Sequence, residues 1–139
     1  MKIVVDTSLL IDFTRKKKSN KENLLWPNLV KYSKEGGHQL IVPPVVIFEF
    51  YSGEEMNKPD NQEKAEDILK DFIYVNFDPK TAKRAAALLR NAKTKVGTID
   101  YLIAATAIDI DGELATLNPK HFKLFENLKL FDFKKLGKV

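Results

Sequence analysis

The sequence contains no cysteine and only two histidines, His38 and His121, among its 139 residues. The lack of cysteine excludes disulfide scaffolds, cysteine-ligated zinc and cysteine nucleophiles, and two histidines are too few for a histidine-rich metal site. No apolar run is long enough to suggest a membrane span or a signal peptide. We therefore expect a cytoplasmic protein without a membrane partner, folded as one domain over residues 1–139.

Charge is modest in total but unevenly distributed, with 23 Lys and Arg against 19 Asp and Glu and a net charge of +4. Residues 79–99 contain six basic side chains and no acid, whereas residues 54–78 contain eight acids. Further basic groups lie at 15–18 and around Lys134 and Lys138. Segregated basic stretches favour a polyanion such as nucleic acid, although solvated helix faces and a basic tail produce the same pattern.

Short apolar runs alternate with helical patterns along the chain. Strands are predicted at 3–5, 40–42, 73–75, 114–116 and 128–131, and helices at 8–16, 22–34, 60–72, 79–92 and 98–110, with a short turn after Asn118-Pro119. Expected helix caps are Asp60 with Glu63, Asp78 before Pro79, and Thr98. Residues 45–51 have strand propensity but follow a strand too closely, which leaves their structure open. The alternation indicates βαβ units and a mainly parallel sheet, whose ligands bind beyond the carboxyl ends of the strands.

Three acids fall where that edge of the sheet is expected. Asp6 directly follows the first strand, Asp100 lies in the first turn of the helix leading to the fourth strand, and Glu49 is embedded in an apolar stretch. A buried Glu costs several kcal/mol unless it is paired or bound to a metal. Three carboxylates without His or Cys partners suit a hard cation, Mg²⁺ or Mn²⁺, and these ions support phosphoryl chemistry.

Each of these positions also has a structural interpretation. Asp6 is placed to cap a helix, Asp100 to complement a helix dipole, Glu49 to face solvent, and Asn118 to cap the helix at Pro119. A Ser-His-Asp nucleophile is poorly supported because Gly-x-Ser-x-Gly is absent. Glycine-rich nucleotide-binding loops are absent too. His121 is near Asn118, where a contact with substrate is one interpretation and a structural role is the favoured one.

Four blocks occur together in order: IVVDTSLLID at 3–12, VPPVVIFEFYSG at 42–53, DYLIAATA at 100–107 and LATLNPKHF at 114–122. Together they resemble PIN-domain ribonucleases, specifically the VapC-type branch of toxins from toxin–antitoxin pairs. Each block is weak alone, but four in order are specific and cover nearly the whole chain. Many members of that family have an acid in the fourth block, whereas this chain has Asn118 and His121 there.

The resemblance implies a three-layer α/β/α sandwich with a mainly parallel sheet, and a helix at 45–51. It implies that Asp6, Glu49 and Asp100 are catalytic and hold Mg²⁺ or Mn²⁺ for cleavage of RNA. Supporting or substrate-binding residues are expected to be Thr7, Ser8, Asn118 and Lys95. Expected partners are RNA, a small antitoxin protein and a second copy of the chain, with the helices at 22–34 or 60–72 as possible dimer faces.

The first hypothesis is therefore a metal-dependent endoribonuclease. The second is a non-catalytic PIN-like module that holds RNA or a protein, favoured by the missing fourth acid. A third is a receiver-like or phosphatase-like domain acting on a small phosphate, which leaves the block around Glu49 unexplained. Metal-dependent RNA products would distinguish the first hypothesis from the other two.

Overall fold

The computed structural model describes residues 1–14, 25–93 and 96–137. Its strands are β1 (Lys2–Val5), β2 (Gln39–Val42), β3 (Ile73–Tyr74), β4 (Glu113–Ala115) and β5 (Lys129–Leu130). Its helices are α1 (Thr7–Thr14), α2 (Leu25–Gly36), α3 (Pro44–Tyr51), α4 (Pro59–Leu69), α5 (Pro79–Arg90), α6 (Thr98–Asp109) and α7 (Pro119–Phe122). Short 3₁₀ helices lie at Glu54–Asn57 and Phe133–Leu136.

The five strands form one sheet in the order β3-β2-β1-β4-β5, and every neighbouring pair is parallel. Its centre is β1, where Ile3, Val4 and Val5 are fully buried. Such continuous apolar strands are typical of parallel sheets covered by helices on both faces. The predicted three-layer α/β/α sandwich with a parallel sheet is therefore confirmed.

Helix α6 is the most deeply buried helix of the described chain. Its stretch Tyr101–Ala107 is buried except for the half-buried Leu102. A helix that is apolar on nearly all sides belongs in a core, and its alanines allow close packing against α3 and α5. This packing fixes the position of its first turn, which carries Asp100.

The segment 44–51 is helical, as the family resemblance implied, although its residues have strand propensity. Pro44 occupies the start of α3, where the lack of an N–H costs no helical hydrogen bond. Val46 and Phe50, four residues apart, are buried on one face, while Phe48 is 68 % exposed. Tertiary packing of a helical face therefore overrides the local preference for a strand.

Two of the predicted helix caps are wrong. Lys58, rather than Asp60, precedes α4, because Pro59 has a backbone suited to the first helical position and begins the helix earlier. Thr98 is the first residue of α6, and the extended Gly97 precedes it. The third cap is confirmed, since the Asp78 side chain accepts a hydrogen bond of 2.9 Å from the Thr81 N–H.

The predicted helices at 8–16 and 22–34 extend partly outside the described residues. The basic group at 15–18 lies wholly outside them, and so do Lys95 and Lys138. Among the helices of the described ranges, none is both long and apolar enough to cross a membrane.

Candidate functional site

Asp6 lies at the carboxyl end of the central strand. Its backbone N–H donates to the Ala115 carbonyl at 3.0 Å, and its side chain is only 5 % exposed. Oxygen Oδ2 of Asp6 accepts hydrogen bonds from the hydroxyls of Ser8 (2.8 Å) and Thr116 (2.7 Å). Two hydroxyls thus hold a buried carboxylate in place, and Asp6 also directly precedes α1, where its carbonyl accepts a hydrogen bond of 3.2 Å from the Leu9 N–H.

Thr116 is a site residue that the sequence analysis missed. It directly follows β4, the neighbour of β1, whereas the predicted strand at 114–116 included it, so the rule that identified Asp6 did not select it. Its hydroxyl accepts a hydrogen bond of 3.0 Å from the Asn118 N–H. Asn118 therefore reaches the site through its backbone, while its exposed side chain makes no capping hydrogen bond to α7.

Glu49 approaches the same region from α3. Helices α1 and α3 pack together, and the Thr7 hydroxyl of α1 donates a short hydrogen bond to Oε1 of Glu49. Thr7 is buried and Glu49 is half-buried. Glu49 therefore contacts the helix that follows Asp6, in contrast to the solvent-facing alternative.

Asp100 occupies the first turn of α6, and its Oδ2 lies 3.3 Å from Nδ1 of His121. Burial is the main cause that raises the pKa of Asp100 above its usual value, and the negative charge of Asp6 raises it further. His121 opposes this effect, and the charge of Glu49 adds to it. Asp6 and Glu49 therefore both act electrostatically on Asp100, and His121, for which the sequence favoured a structural role, contacts the same carboxylate.

The donor atoms of this site suit a hard divalent cation. They are carboxylate oxygens, and no ion pair in the described part of the chain joins Lys or Arg to Asp6, Glu49 or Asp100. A cation would offset the repulsion that raises the pKa of Asp100. In residues 1–14, 25–93 and 96–137 no three acidic or histidine side chains converge closely enough to form a ready metal-binding set. Each carboxylate instead contacts a hydroxyl or an imidazole.

The residues of this site lie within a segment that matches the model of one protein family. The model of the PIN domain family matches residues 3–127. This chain belongs to the PIN domain family. The match covers Asp6, Glu49 and Asp100, and it spans the first four strands from Ile3 onward. It confirms the resemblance that the four sequence blocks indicated.

Curated relatives of this PIN-domain chain are VapC ribonucleases. Ribonuclease VapC1 of Rickettsia felis is 30 % identical over 140 residues, which cover 94 % of this chain and 95 % of the relative. Ribonuclease VapC19 of Mycobacterium tuberculosis is 25 % identical over 126 residues, covering 91 % of this chain and 96 % of the relative. The VapC-type branch of the PIN family is thereby confirmed.

Solved structures with the same PIN fold include two VapBC proteins. The crystal structure of VapBC2 from Rickettsia felis bound to a DNA fragment from their promoter has a TM-score of 0.79 at 24 % identity, covering 94 % of this chain and 98 % of that one. VapBC-1 from nontypeable Haemophilus influenzae has a TM-score of 0.75 at 16 % identity, covering 96 % and 99 %. These likenesses support the fold of this chain.

Proposed function

We propose that this PIN-domain protein is a metal-dependent endoribonuclease, the toxin of a type II toxin–antitoxin pair. The observation that carries the proposal is that Asp6, which follows β1, and Glu49, on α3, both act through their negative charge on Asp100, on α6. Membership of the PIN family supports it, as do the ribonuclease names of relatives that match more than nine-tenths of the chain.

The three carboxylates would hold Mg²⁺ or Mn²⁺, with Asp6 and Asp100 as direct ligands and Glu49 binding directly or through water. A bound divalent ion supplies positive charge that polarises a phosphate oxygen and acidifies water. Ser8 and Thr116 hold the Asp6 carboxylate in one orientation, since both hydroxyls donate to the same oxygen. Fixed ligands of this kind reduce the reorganisation that metal binding requires.

Glu49 is proposed to orient the attacking water. One of its oxygens accepts from Thr7, and the carboxylate is half-buried, so its orientation is constrained. In the reaction, the water oxygen bonds to phosphorus while the bond from phosphorus to the 3′ oxygen breaks. The attacking water gives up one proton and the departing 3′ oxygen takes one up, so the products are a 5′-phosphate and a 3′-hydroxyl. Choice of an RNA sequence would require unpaired bases, because the major groove of an RNA helix is too narrow to read.

The proposed partners are RNA, a small antitoxin and a second copy of the chain, in the cytoplasm. The sequence offered the helices at 22–34 and 60–72 as possible dimer faces. Within the described residues, the large apolar side chains exposed to solvent include Phe48 on α3 and Leu89 on α5, and none lies on α2 or α4. The reason is that α2 and α4 use their apolar faces to cover the core, for example through Trp26 and Ile68.

Cleavage of a mixed RNA pool tests the proposal. Purified protein, free of antitoxin, is incubated with Mn²⁺, Mg²⁺ or EDTA beside Asp6→Asn, Asp100→Asn and the control Asp60→Asn, an exposed acid outside the site. We expect products from the wild type and Asp60→Asn with metal, and none from EDTA or the two site variants. Products that persist in both folded site variants would reject the assignment.

Thermal unfolding with added Mn²⁺ gives a second readout that does not depend on cleavage. A ligand that binds only the folded state at 100 times its Kd stabilises it by about 2.7 kcal/mol. The wild type and Asp60→Asn should gain this stability, whereas Asp6→Asn and Asp100→Asn should gain much less. The absence of both stabilisation and products would favour the non-catalytic binding module.

A further inference from the structure

A groove of about 770 Å³ runs along one side of α5, outside the carboxylate site. One wall is the helical face that carries Lys80, Arg84, Leu88 and Asn91, which are spaced by three or four residues. The opposite wall is formed by the segment 124–127 and by the end of α6 at Ile108. The groove is thus bounded by three separate segments of the chain, and its apolar lining residues include Leu88, Ile108 and Leu124.

The groove is strongly basic. Lys80, Lys83 and Arg84 lie near the beginning of α5, and Lys93 lies just beyond its end. Among the described residues that line the groove, Glu126 is the one acid. Arg84 is fixed by an ion pair with Asp109, whose side chain is 7 % exposed, so at least one of the four cations is held in position.

One end of the groove is connected to the first turn of α6. Phe125 lines the groove, and its ring packs edge-on against Tyr101 with 5.4 Å between centroids. Tyr101 directly follows Asp100, and its hydroxyl accepts a hydrogen bond of 3.3 Å from the Val96 N–H.

A helix of 12 residues is roughly 18 Å long, so α5 offers a surface several nucleotides long. Arg84 in the first half of α5 pairs with Asp109 at the end of α6, so the two packed helices run antiparallel and the end of α5 lies beside the beginning of α6, which carries Asp100.

We propose that this groove binds the backbone of single-stranded RNA and guides it to the carboxylate site. The inference rests on the proposed function, because it assumes that RNA is the substrate. Basic side chains at both ends of α5 can pair with the phosphates that recur along an RNA chain. The amides of Asn91 and Asn127 can contact unpaired bases between them. An acidic protein segment is the competing occupant.

Equilibrium binding in EDTA tests the groove without cleavage. The wild type, Lys83→Gln/Lys93→Gln and the control Lys58→Gln/Lys64→Gln are titrated with fluorescein-labelled single-stranded RNA at several salt concentrations. The control removes the same charge at exposed lysines outside the groove. Each phosphate contact contributes about 0.7 to the salt slope of single-strand binding, so the groove variant should lose about 1.4 of slope and roughly tenfold in affinity.

A groove variant that binds RNA as the control does, with the same salt slope, would overturn the proposal. The proposal would also fall if the groove variant kept its RNA affinity but lost binding of a poly-glutamate peptide, since the groove would then fit an acidic protein partner. Cleavage assays distinguish failure of the groove proposal from failure of the proposed nuclease function. RNA binding that depends on the groove, in a protein that cuts no RNA with metal, supports the groove and rejects the nuclease. If the protein cleaves RNA normally but the groove variant and the lysine control bind RNA equally, the nuclease is supported and the groove is rejected.

Discussion

At the residue scale, hydroxyl groups decide how the acids of the site are held. Ser8 and Thr116 both donate to Asp6, and Thr7 donates to Glu49. A buried carboxylate that loses such donors keeps its charge but loses compensation for its lost hydration. The hydroxyls therefore affect both the stability of the fold and the position of the proposed metal ligands.

Replacing Thr116 by Val removes one hydrogen bond to Asp6 and keeps the shape of the side chain. We expect a loss of about 1–3 kcal/mol in the free energy of unfolding, because Asp6 is left with one hydroxyl donor in a buried position. We also expect slower RNA cleavage. Urea denaturation and a cleavage assay measure the two effects, and Thr116→Ser, which keeps the hydroxyl, should stay close to the wild type. If Thr116→Val and Thr116→Ser lost equal amounts of unfolding free energy, the hydroxyl would not be the cause and this explanation would be contradicted.

Asp100→Asn should stabilise the protein at neutral pH in the absence of metal. Burial and the charge of Asp6 raise the pKa of Asp100, so the folded state binds its proton more tightly than the unfolded state does. The stability that this tighter proton binding gives to the folded state is complete below the ordinary pKa of an aspartate. It is lost as the pH rises through the raised pKa of Asp100. Removing the charge should therefore add about 0.5–2 kcal/mol at pH 7.

Urea denaturation in EDTA between pH 7 and pH 4 measures this effect. The advantage of Asp100→Asn over the wild type should shrink steadily as the pH falls. The exposed Asp60→Asn, an acid outside the site, serves as the matched control and should show no such advantage. An advantage that grows on acidification would show that the charge of Asp100 is favourable in the fold.

At the scale of elements, helix beginnings were predictable where a side chain and a proline acted together. Asp78 caps α5 and Pro79 follows it, as the sequence indicated. For α4 the proline alone determined the first residue, and the capping box expected at Asp60 did not form. For α6 the beginning is set by packing of a buried helix, which no local cap predicts.

Asp78→Ala should lower the melting temperature at pH 7. The backbone N–H of Thr81 donates to the Asp78 carboxylate and lowers the pKa of Asp78. The resulting stability is present above the ordinary pKa of an aspartate and is lost as pH falls through the lowered pKa. Thermal unfolding should therefore show a difference from the wild type that narrows on acidification. Asp78→Ser, which keeps a capping oxygen, should restore most of the loss at pH 7, and failure to do so would reject the capping role.

At the scale of the whole molecule, strand order brings the site together. Because β1 lies between β2 and β4, the residues that follow β1 and β4 meet at one edge of the sheet, while α3 begins beside them after β2. Asp6 and Thr116 are 110 residues apart in the sequence and yet are joined by a hydrogen bond. Parallel topology with crossover helices makes such long-range contacts possible.

The proposed homodimer is also tested at this scale. Phe48 is 68 % exposed on α3, and burying an aromatic side chain in an interface contributes about 1.5–3 kcal/mol. We expect the wild type to sediment at twice the 15.9 kDa mass of one chain and Phe48→Ser to shift toward the single-chain mass. Phe77→Ser, at an exposed aromatic outside α3, is the control. A dimer unaffected by Phe48→Ser would place the interface elsewhere.

The sequence by itself determined the fold class and predicted which acids form the proposed site, because β-branched runs, helical periodicity and residues that follow strands are local features. The family resemblance also determined that α3 is a helix, against its strand propensity. Only the tertiary structure decided which hydroxyls hold the acids, that His121 contacts Asp100, and that the basic face of α5 borders a groove. These features depend on contacts between residues far apart in the chain, whose distances follow from packing and strand order rather than from any local pattern.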